Sequence, residues 1–105
     1  VMFPGTMGKY IMKNSSVYAA SKFALTGFTK ALTEEAKRTG IKFSLLHLGG
    51  VATPFWDDDR VNMRVKKEAM LSTEEVAKAV YYAVNQPDGS VLNEVVIQPE
   101  SHQLV

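Results

Sequence analysis

Hydrophobic residues recur with two different periods along the chain. Helical spacing of apolar positions predicts a long helix over residues 16–38 and a second helix over 72–86. Short apolar runs predict strands over 41–48 and 93–98, and residues 1–3 have the character of a strand end. Because strands alternate with helices, the pattern indicates an α/β sheet with crossover helices, in which the strands at 41–48 and 93–98 run parallel.

The predicted helices have recognisable ends. A polar residue among positions 14–16 can cap the first helix, and Gly40 follows its basic last turn. The second helix begins at a Ser72–Thr73 cap with acidic residues in its first turn. The large apolar residues of the first helix share one helical spacing: Val17, Leu25, Phe28 and Leu32.

The composition is that of a soluble globular protein, with 105 residues, 46% hydrophobic residues and a formal net charge of +1. This charge gives no reason to expect nucleic acid or a charged membrane as a partner. No apolar run approaches the ~20 residues of a bilayer span, and no secretory signal is visible, so we expect a cytoplasmic protein. There are no cysteines, and the two histidines, His47 and His102, form no metal-ligand pattern.

Some polar and aromatic positions admit two interpretations. Three adjacent acids at 57–59 could suggest a metal site, but neighbours in sequence do not converge on one ion, so a solvated loop is favoured. His47, at the end of a predicted strand, either contacts a ligand or packs in the core. Phe55 and Trp56 either line a substrate pocket or pack against their neighbours.

The segment "SSVYAASKFALTGFTKAL" at residues 15–32 places Tyr18 and Lys22 one helical turn apart among small residues. An exposed pair on a helix surface is one interpretation. The other is an acid–base pair, because an ammonium at i+4 stabilises a phenolate by Coulomb attraction and can also donate to ribose hydroxyls. The pair follows a glycine-containing loop, and the next strand ends in Gly49 and Gly50, at the edge where open α/β sheets bind ligands.

Six segments, in this order, resemble the second half of the short-chain dehydrogenase/reductase family. They are the Tyr-x-x-x-Lys pair with its continuation "ASKFAL", the helical "TEEA", the turn "TGIKFSLL", the loop "GGVATPF", the helix "STEEVAKAVYYAV" and the final "NEVVIQP". The resemblance implies the C-terminal part of a Rossmann-like doubly wound parallel sheet. The chain would then be one partial domain over residues 1–105, with the N-terminal cofactor-binding half absent.

The resemblance also implies an NAD(P)-dependent oxidoreductase that interconverts an alcohol and a carbonyl on a small-molecule substrate. Tyr18 would be the catalytic acid or base, and Lys22 would hold the nicotinamide ribose and stabilise the phenolate. Gly50, Val51 and Thr53 would bind the nicotinamide carboxamide, so that these three, with Tyr18 and Lys22, contact NAD or NADP. Residues 54–70 would form a mobile substrate lid. No metal, nucleic acid or membrane is expected to take part.

Two departures separate the sequence from the family pattern. The family's catalytic serine lies thirteen residues before the tyrosine, a position held here by Gly5, while Gly8 matches the glycine that follows in the family. Losing such a carbonyl donor typically costs about 2.7–4 kcal/mol in the transition state, so Gly5→Ser is expected to raise the rate. The sequence also lacks a Gly-x-x-x-Gly-x-Gly phosphate turn and the family's catalytic asparagine. We therefore expect an incomplete and inactive fragment of an oxidoreductase, and the alternative is a non-enzymatic remnant that acts as an association module.

Association is expected under both interpretations. Half of a doubly wound sheet leaves a strand edge and an apolar helix face uncovered. Gly27 belongs to a stripe of small residues and costs about 1 kcal/mol inside a helix, so we expect another backbone to approach it closely. The family builds oligomers partly through this helix, and a homo-oligomer is therefore expected.

Overall fold

The computed structural model of the protein describes residues 1–61, 63 and 65–104. Within these residues the regular elements follow the order helix, strand, helix, strand. Their bounds are Ser16–Glu35 for α1, Leu45–Leu48 for β1, Thr73–Val84 for α2 and Glu94–Ile97 for β2. Short 3-10 turns lie in the connections, at Thr6–Gly8, Pro54–Asp57 and Lys67–Ala69.

The two strands form a parallel sheet with β1 in the middle. Leu45 pairs with Glu94 and Leu48 with Ile97, in the parallel direction that the crossover helix requires. On the opposite edge of β1, Met2 forms a parallel bridge to Leu45. The predicted parallel α/β arrangement is therefore confirmed, and the strand character of residues 1–3 is present as this single bridge.

The connection between α1 and β1 is longer than the sequence pattern predicts. The helix ends at Glu35 and not at residue 38, and β1 begins at Leu45 and not at residue 41. Arg38 and Gly40 both have positive φ, of 69° and 82°, which no helix or strand accommodates. The Thr39 hydroxyl, which donates to the Ala36 carbonyl at 2.5 Å, fixes the turn between them.

The helix α1 presents two different faces. Its buried residues are small or hydroxylated, namely Ala19, Thr26 and Thr29, and this face packs mainly on the Thr6–Gly8 turn, which also contacts β1. Val17 is 83% exposed and Phe28 is 56% exposed. The apolar face of α1 is therefore uncovered in this chain, as the sequence predicts for half of a doubly wound sheet.

Gly27 lies on this uncovered side. Among the described residues, no atom beyond its own helix lies within 4 Å of the position that a Cβ would occupy there. The close approach expected from the sequence is therefore not made within the chain. A second copy remains the alternative that the sequence left open.

The start of α2 follows its sequence signal. The Ser72 hydroxyl accepts from the Glu75 backbone N–H at 3.1 Å, and the Glu75 carboxylate accepts from the Ser72 backbone N–H at 2.9 Å. This reciprocal pair is a capping box, so the predicted Ser72 cap is confirmed. Across the described part of the chain, neither helix combines the length and apolar character that crossing a bilayer requires.

Candidate functional site

A loop of residues 4–8 lies at the carboxyl end of β1 and packs against α1. The Gly5 carbonyl accepts from Nδ1 of His47, in the second half of β1, at 2.9 Å. Three residues later, the Gly8 carbonyl accepts from the Thr26 hydroxyl of α1 at 3.0 Å. A Cβ on Gly8 would lie 3.2 Å from the Lys22 carbonyl, so the absence of a side chain lets the loop approach the helix backbone. These contacts bring the Lys22 turn of α1 to the edge where the parallel strands end.

Tyr18 and Lys22 lie together on α1, as the sequence predicts. The Lys22 ammonium is 5.6 Å from the centroid of the Tyr18 ring, a distance at which a cation is attracted to the ring face. Tyr18 is 54% exposed, whereas Lys22 is half-buried because the loop at Gly8 covers its turn. The arrangement leaves a phenol accessible to a small molecule, with a positive charge held beside it.

The loop that contains Gly50, Val51 and Thr53 follows β1 directly. It is held by the segment before α2, because the Leu71 N–H donates to the Gly50 carbonyl and the Ala52 N–H donates to the Leu71 carbonyl, both at 2.9 Å. This parallel bridge turns the N–H and C=O of Val51 away from Leu71. The Val51 carbonyl accepts from the Trp56 indole N–H at 2.8 Å, whereas its N–H makes no backbone hydrogen bond among the described residues.

The predicted lid segment begins with two aromatic residues in different surroundings. Trp56 donates to Val51 and meets Phe55 edge-to-face, with the ring centroids 5.1 Å apart. Phe55 is 61% exposed, so Trp56 packs while Phe55 is free to contact a molecule beside the loop. Residues 62 and 64 of this predicted lid lie outside the described residues.

The acids at 57–59 form ion pairs with basic residues of the same segment. Asp57 pairs with Lys67 at 2.7 Å across the segment. Asp58 accepts from both Nε and Nη2 of Arg60, at 2.9 and 2.7 Å, and these hydrogen bonds lower the pKa of the Asp58 carboxyl. The two carboxylates therefore have different partners, in keeping with the solvated-loop interpretation of this stretch.

His47 is fully buried and bonded at both ring nitrogens. Its Nδ1 lies 2.9 Å from the Gly5 carbonyl and its Nε2 lies 2.7 Å from Oε1 of Glu94 on β2. Partial burial by itself raises the pKa of the Glu94 carboxyl, but the hydrogen bond from His47 and the charges of Lys30 and Lys9 outweigh it and hold that pKa below its ordinary value. Of the two interpretations left open for His47, the structure supports packing in the core.

Sequence reasoning missed the Glu94 side of this arrangement. His47 and Glu94 are 47 positions apart, and only the register of β1 on β2 brings them to the same face. An acidic residue at the start of an apolar strand was the available signal, since a carboxylate facing a sheet interior needs a partner.

Gly5 adopts φ of 69° and ψ of 176°, a conformation that is nearly confined to glycine. At the position of the family's serine there is thus no hydroxyl, and the backbone is one that a serine would resist. The second departure, the missing phosphate turn, is a property of the sequence itself.

Comparison with known proteins agrees with this arrangement. The family model described as short chain dehydrogenase matches residues 4–64, more than half of the chain. The chain therefore belongs to the short chain dehydrogenase family, and the resemblance seen in the sequence is confirmed.

Among curated relatives, an uncharacterized oxidoreductase of Staphylococcus epidermidis is 38% identical over 87 residues, which are 83% of this chain and 36% of the relative. An uncharacterized oxidoreductase of Staphylococcus saprophyticus is 34% identical over 92 residues, covering 88% of this chain and 38% of the relative. The chain thus spans well under half the length of the curated relatives that it matches.

Two solved structures share the fold at low sequence identity. The closed form of a serine dehydrogenase complexed with NADP+ superposes with a TM-score of 0.78 at 21% identity, covering 96% of this chain and 44% of that one. An alcohol dehydrogenase from the archaeon Thermococcus sibiricus, complexed with 5-hydroxy-NADP, gives a TM-score of 0.76 at 17% identity, covering 96% and 41%.

Proposed function

We propose that this chain carries the acid–base part of an NAD(P)-dependent oxidoreductase that interconverts an alcohol and a carbonyl on a small-molecule substrate. The observation that carries the proposal is the accessible Tyr18 phenol with the Lys22 ammonium beside it, on a helix docked at the carboxyl edge of a parallel sheet. The oxidoreductase names of the staphylococcal relatives and the NADP-bound complexes of the two fold neighbours support it.

The residues present are suited to the nicotinamide end of such a cofactor. Lys22 has three ammonium protons and Tyr18 one hydroxyl, the donors that ribose hydroxyls accept. The Val51 N–H, which is turned away from Leu71, is available to a carboxamide oxygen, and Gly50 and Thr53 flank it. The adenosine and pyrophosphate would need a phosphate turn that this sequence does not contain.

In this proposal Tyr18 moves the proton. When the carbonyl is reduced, the Tyr18 O–H donates its proton to the carbonyl oxygen, and when the alcohol is oxidised the phenolate takes the hydroxyl proton back. Lys22 stabilises the phenolate that remains, because its ammonium is held within one helical turn. A bound nicotinamide supplies or accepts the hydride.

The glycine at position 5 weakens this chemistry in a defined way. Without a hydroxyl there, the substrate oxygen would have the Tyr18 hydroxyl as its donor and would lack the second one that the family's serine provides. Such a donor is worth about 2.7–4 kcal/mol in the transition state. A chain of this sequence would therefore be a slow catalyst even when a cofactor is bound.

The decisive experiment is Tyr18→Phe, which removes the transferable proton and keeps the ring. The assay uses this chain joined to a nucleotide-binding βαβ half of a short chain dehydrogenase, with carbonyl reduction followed by nicotinamide absorbance. We expect the rate to fall by the roughly 10²–10⁴ that general acid–base catalysis contributes.

The matched control is Tyr81→Phe, which removes another exposed phenol, from α2, and should leave the rate unchanged. Equal rates for the parent and for Tyr18→Phe, with cofactor affinity and fold intact, would show that Tyr18 is a packing residue and that the proposed mechanism is wrong.

A second candidate function is a non-enzymatic association module. The missing phosphate turn and the exposed Val17 and Phe28 on one face of α1 favour it. Titration of NADH and NADPH by nicotinamide fluorescence separates the two candidates, since an association module binds neither. A homo-oligomer is part of both, because covering this face removes apolar surface from water.

A further inference from the structure

The His47 ring lies between two hydrogen-bond acceptors. A backbone carbonyl, that of Gly5, can only accept, so Nδ1 must carry a proton to bond it at 2.9 Å. At Nε2 the partner is a Glu94 oxygen at 2.7 Å. Both contacts are satisfied at once when the pair holds one proton beyond a neutral imidazole with a carboxylate, and that proton lies on Nε2 or on Glu94.

The charges around the pair decide where this proton lies. Lys9, beyond the 3-10 turn, is 3.7 Å from Oε1 of Glu94, and Lys30, on α1, is 3.6 Å from Oε2. Two ammonium groups beside one carboxyl favour its ionised form. The bonded state is therefore an imidazolium held by a carboxylate.

The bonded state also joins the two loops of the candidate site. His47 bonds the Gly5 carbonyl at the start of the turn that packs on Lys22 and Thr26. It also stands three residues before Gly50 in the chain, and β1 connects it to that loop. No water or exposed surface can replace a lost donor, because the His47 side chain is 0% exposed.

We propose that protonated His47, held by Glu94, is a positioning residue that fixes the loop of residues 5–8 against α1, and that loss of its second proton loosens this loop. A neutral ring would present a lone pair to either the Gly5 carbonyl or the Glu94 carboxylate, leaving one buried acceptor without a donor. The significance for Tyr18 and Lys22 rests on the proposed function, whereas the loosening of the loop does not.

The experiment is amide hydrogen exchange of the 105-residue chain, followed by NMR while the pH is raised until the His47 ring signal has titrated. The reporters are the Gly8, Lys9 and Tyr10 amides, which donate to the Gly5 and Thr6 carbonyls. After correction for intrinsic exchange, we expect them to exchange about tenfold faster, with the same midpoint as the ring signal. Tenfold corresponds to about 1.4 kcal/mol, within the range for an unpaired buried acceptor.

Two variants test the assignment. Glu94→Gln keeps an acceptor oxygen but removes its charge, so the loop should loosen at lower pH than in the parent. His102→Gln replaces the other, exposed histidine, whose Nδ1 lies near the Ser101 hydroxyl, and should leave the transition where it was. Loop amides that exchange at one protection level throughout the His47 titration would overturn the proposal, as would a midpoint unmoved by Glu94→Gln.

This measurement needs no cofactor and no turnover, so it is independent of the reaction. The loop transition should persist in Tyr18→Phe. Loss of activity in that variant tests the proposed function, whereas loss of the pH-dependent loop transition in Glu94→Gln or its absence in the parent tests this inference, and the two failures are observed separately.

Discussion

Gly8 is the position at which the structure predicts the sharpest response to a single methyl group. A Cβ added there would lie 2.5 Å from the Pro4 Cβ and 2.7 Å from the Thr26 hydroxyl. Both separations are far below van der Waals contact, and Gly8 and Pro4 are both buried. Gly8→Ala must therefore push the loop away from α1 or rotate Thr26 out of its place.

The magnitude follows from the contacts that would be disturbed. Overpacking of this kind typically costs about 1–3 kcal/mol, and the Thr26 hydrogen bond to the Gly8 carbonyl contributes about 0.5–1.5 kcal/mol. The lower entropy of the unfolded alanine chain offsets about 0.4–1 kcal/mol. We expect the free energy of unfolding to fall by about 1–3 kcal/mol, a large part of the roughly 5–15 kcal/mol of a typical domain.

The assay is urea unfolding followed by circular dichroism and by the fluorescence of the single tryptophan, Trp56. Agreement between the two probes supports a two-state transition, and an unchanged slope assigns a midpoint shift to stability. Gly89→Ala is the matched control, because nothing lies within 4 Å of its Cβ position, and it should change stability by less than ~0.5 kcal/mol. If Gly8→Ala behaves like this control, the close approach of loop and helix described here is wrong.

Three further outcomes follow from the same contacts. The Glu94 pKa is lowered on folding from an ordinary value of about 4.5, so its stabilising contribution is complete above that value and is lost as the pH falls through the folded pKa; Glu94→Gln should flatten this acid-side loss in urea midpoints, and an equally steep loss would contradict it. Gly5→Ser should lower stability by about 1–3 kcal/mol because of its positive φ, so any gain in rate would come with an earlier unfolding midpoint. Phe28→Lys should lower the apparent mass in light scattering at high concentration, whereas a parent that is monomeric at every concentration would rule out association through α1.

The sequence was sufficient where local signals and the global fold agree. The Ser72 cap and the Glu75 that completes it lie three residues apart, so the start of α2 needs no tertiary information. The parallel pairing of β1 and β2 follows from the crossover helix between them. Tyr18 and Lys22 come together because helical geometry alone places i and i+4 on one face.

What the sequence could not give depends on contacts between distant segments. The α1–β1 connection was predicted too short because Arg38 takes a positive φ, which no propensity at an arginine suggests. The partnership of His47 with Glu94 requires the sheet register. That Val51 directs its N–H away from Leu71 follows only from the bridge between their segments. These features arise from tertiary packing, and they lie around the candidate site.

The glycine at position 5 has a structural reason that is independent of catalysis. Its backbone, with φ of 69°, starts the turn that reaches α1 while its carbonyl accepts from the buried His47 ring. A serine would be driven toward negative φ, which would move this carbonyl and leave Nδ1 of His47 without its acceptor. A hydroxyl for the substrate and an acceptor for His47 thus compete for one residue. In this chain the residue serves the fold, so the proposed chemistry depends on Tyr18 and Lys22 for its contacts to the reacting oxygen and the ribose.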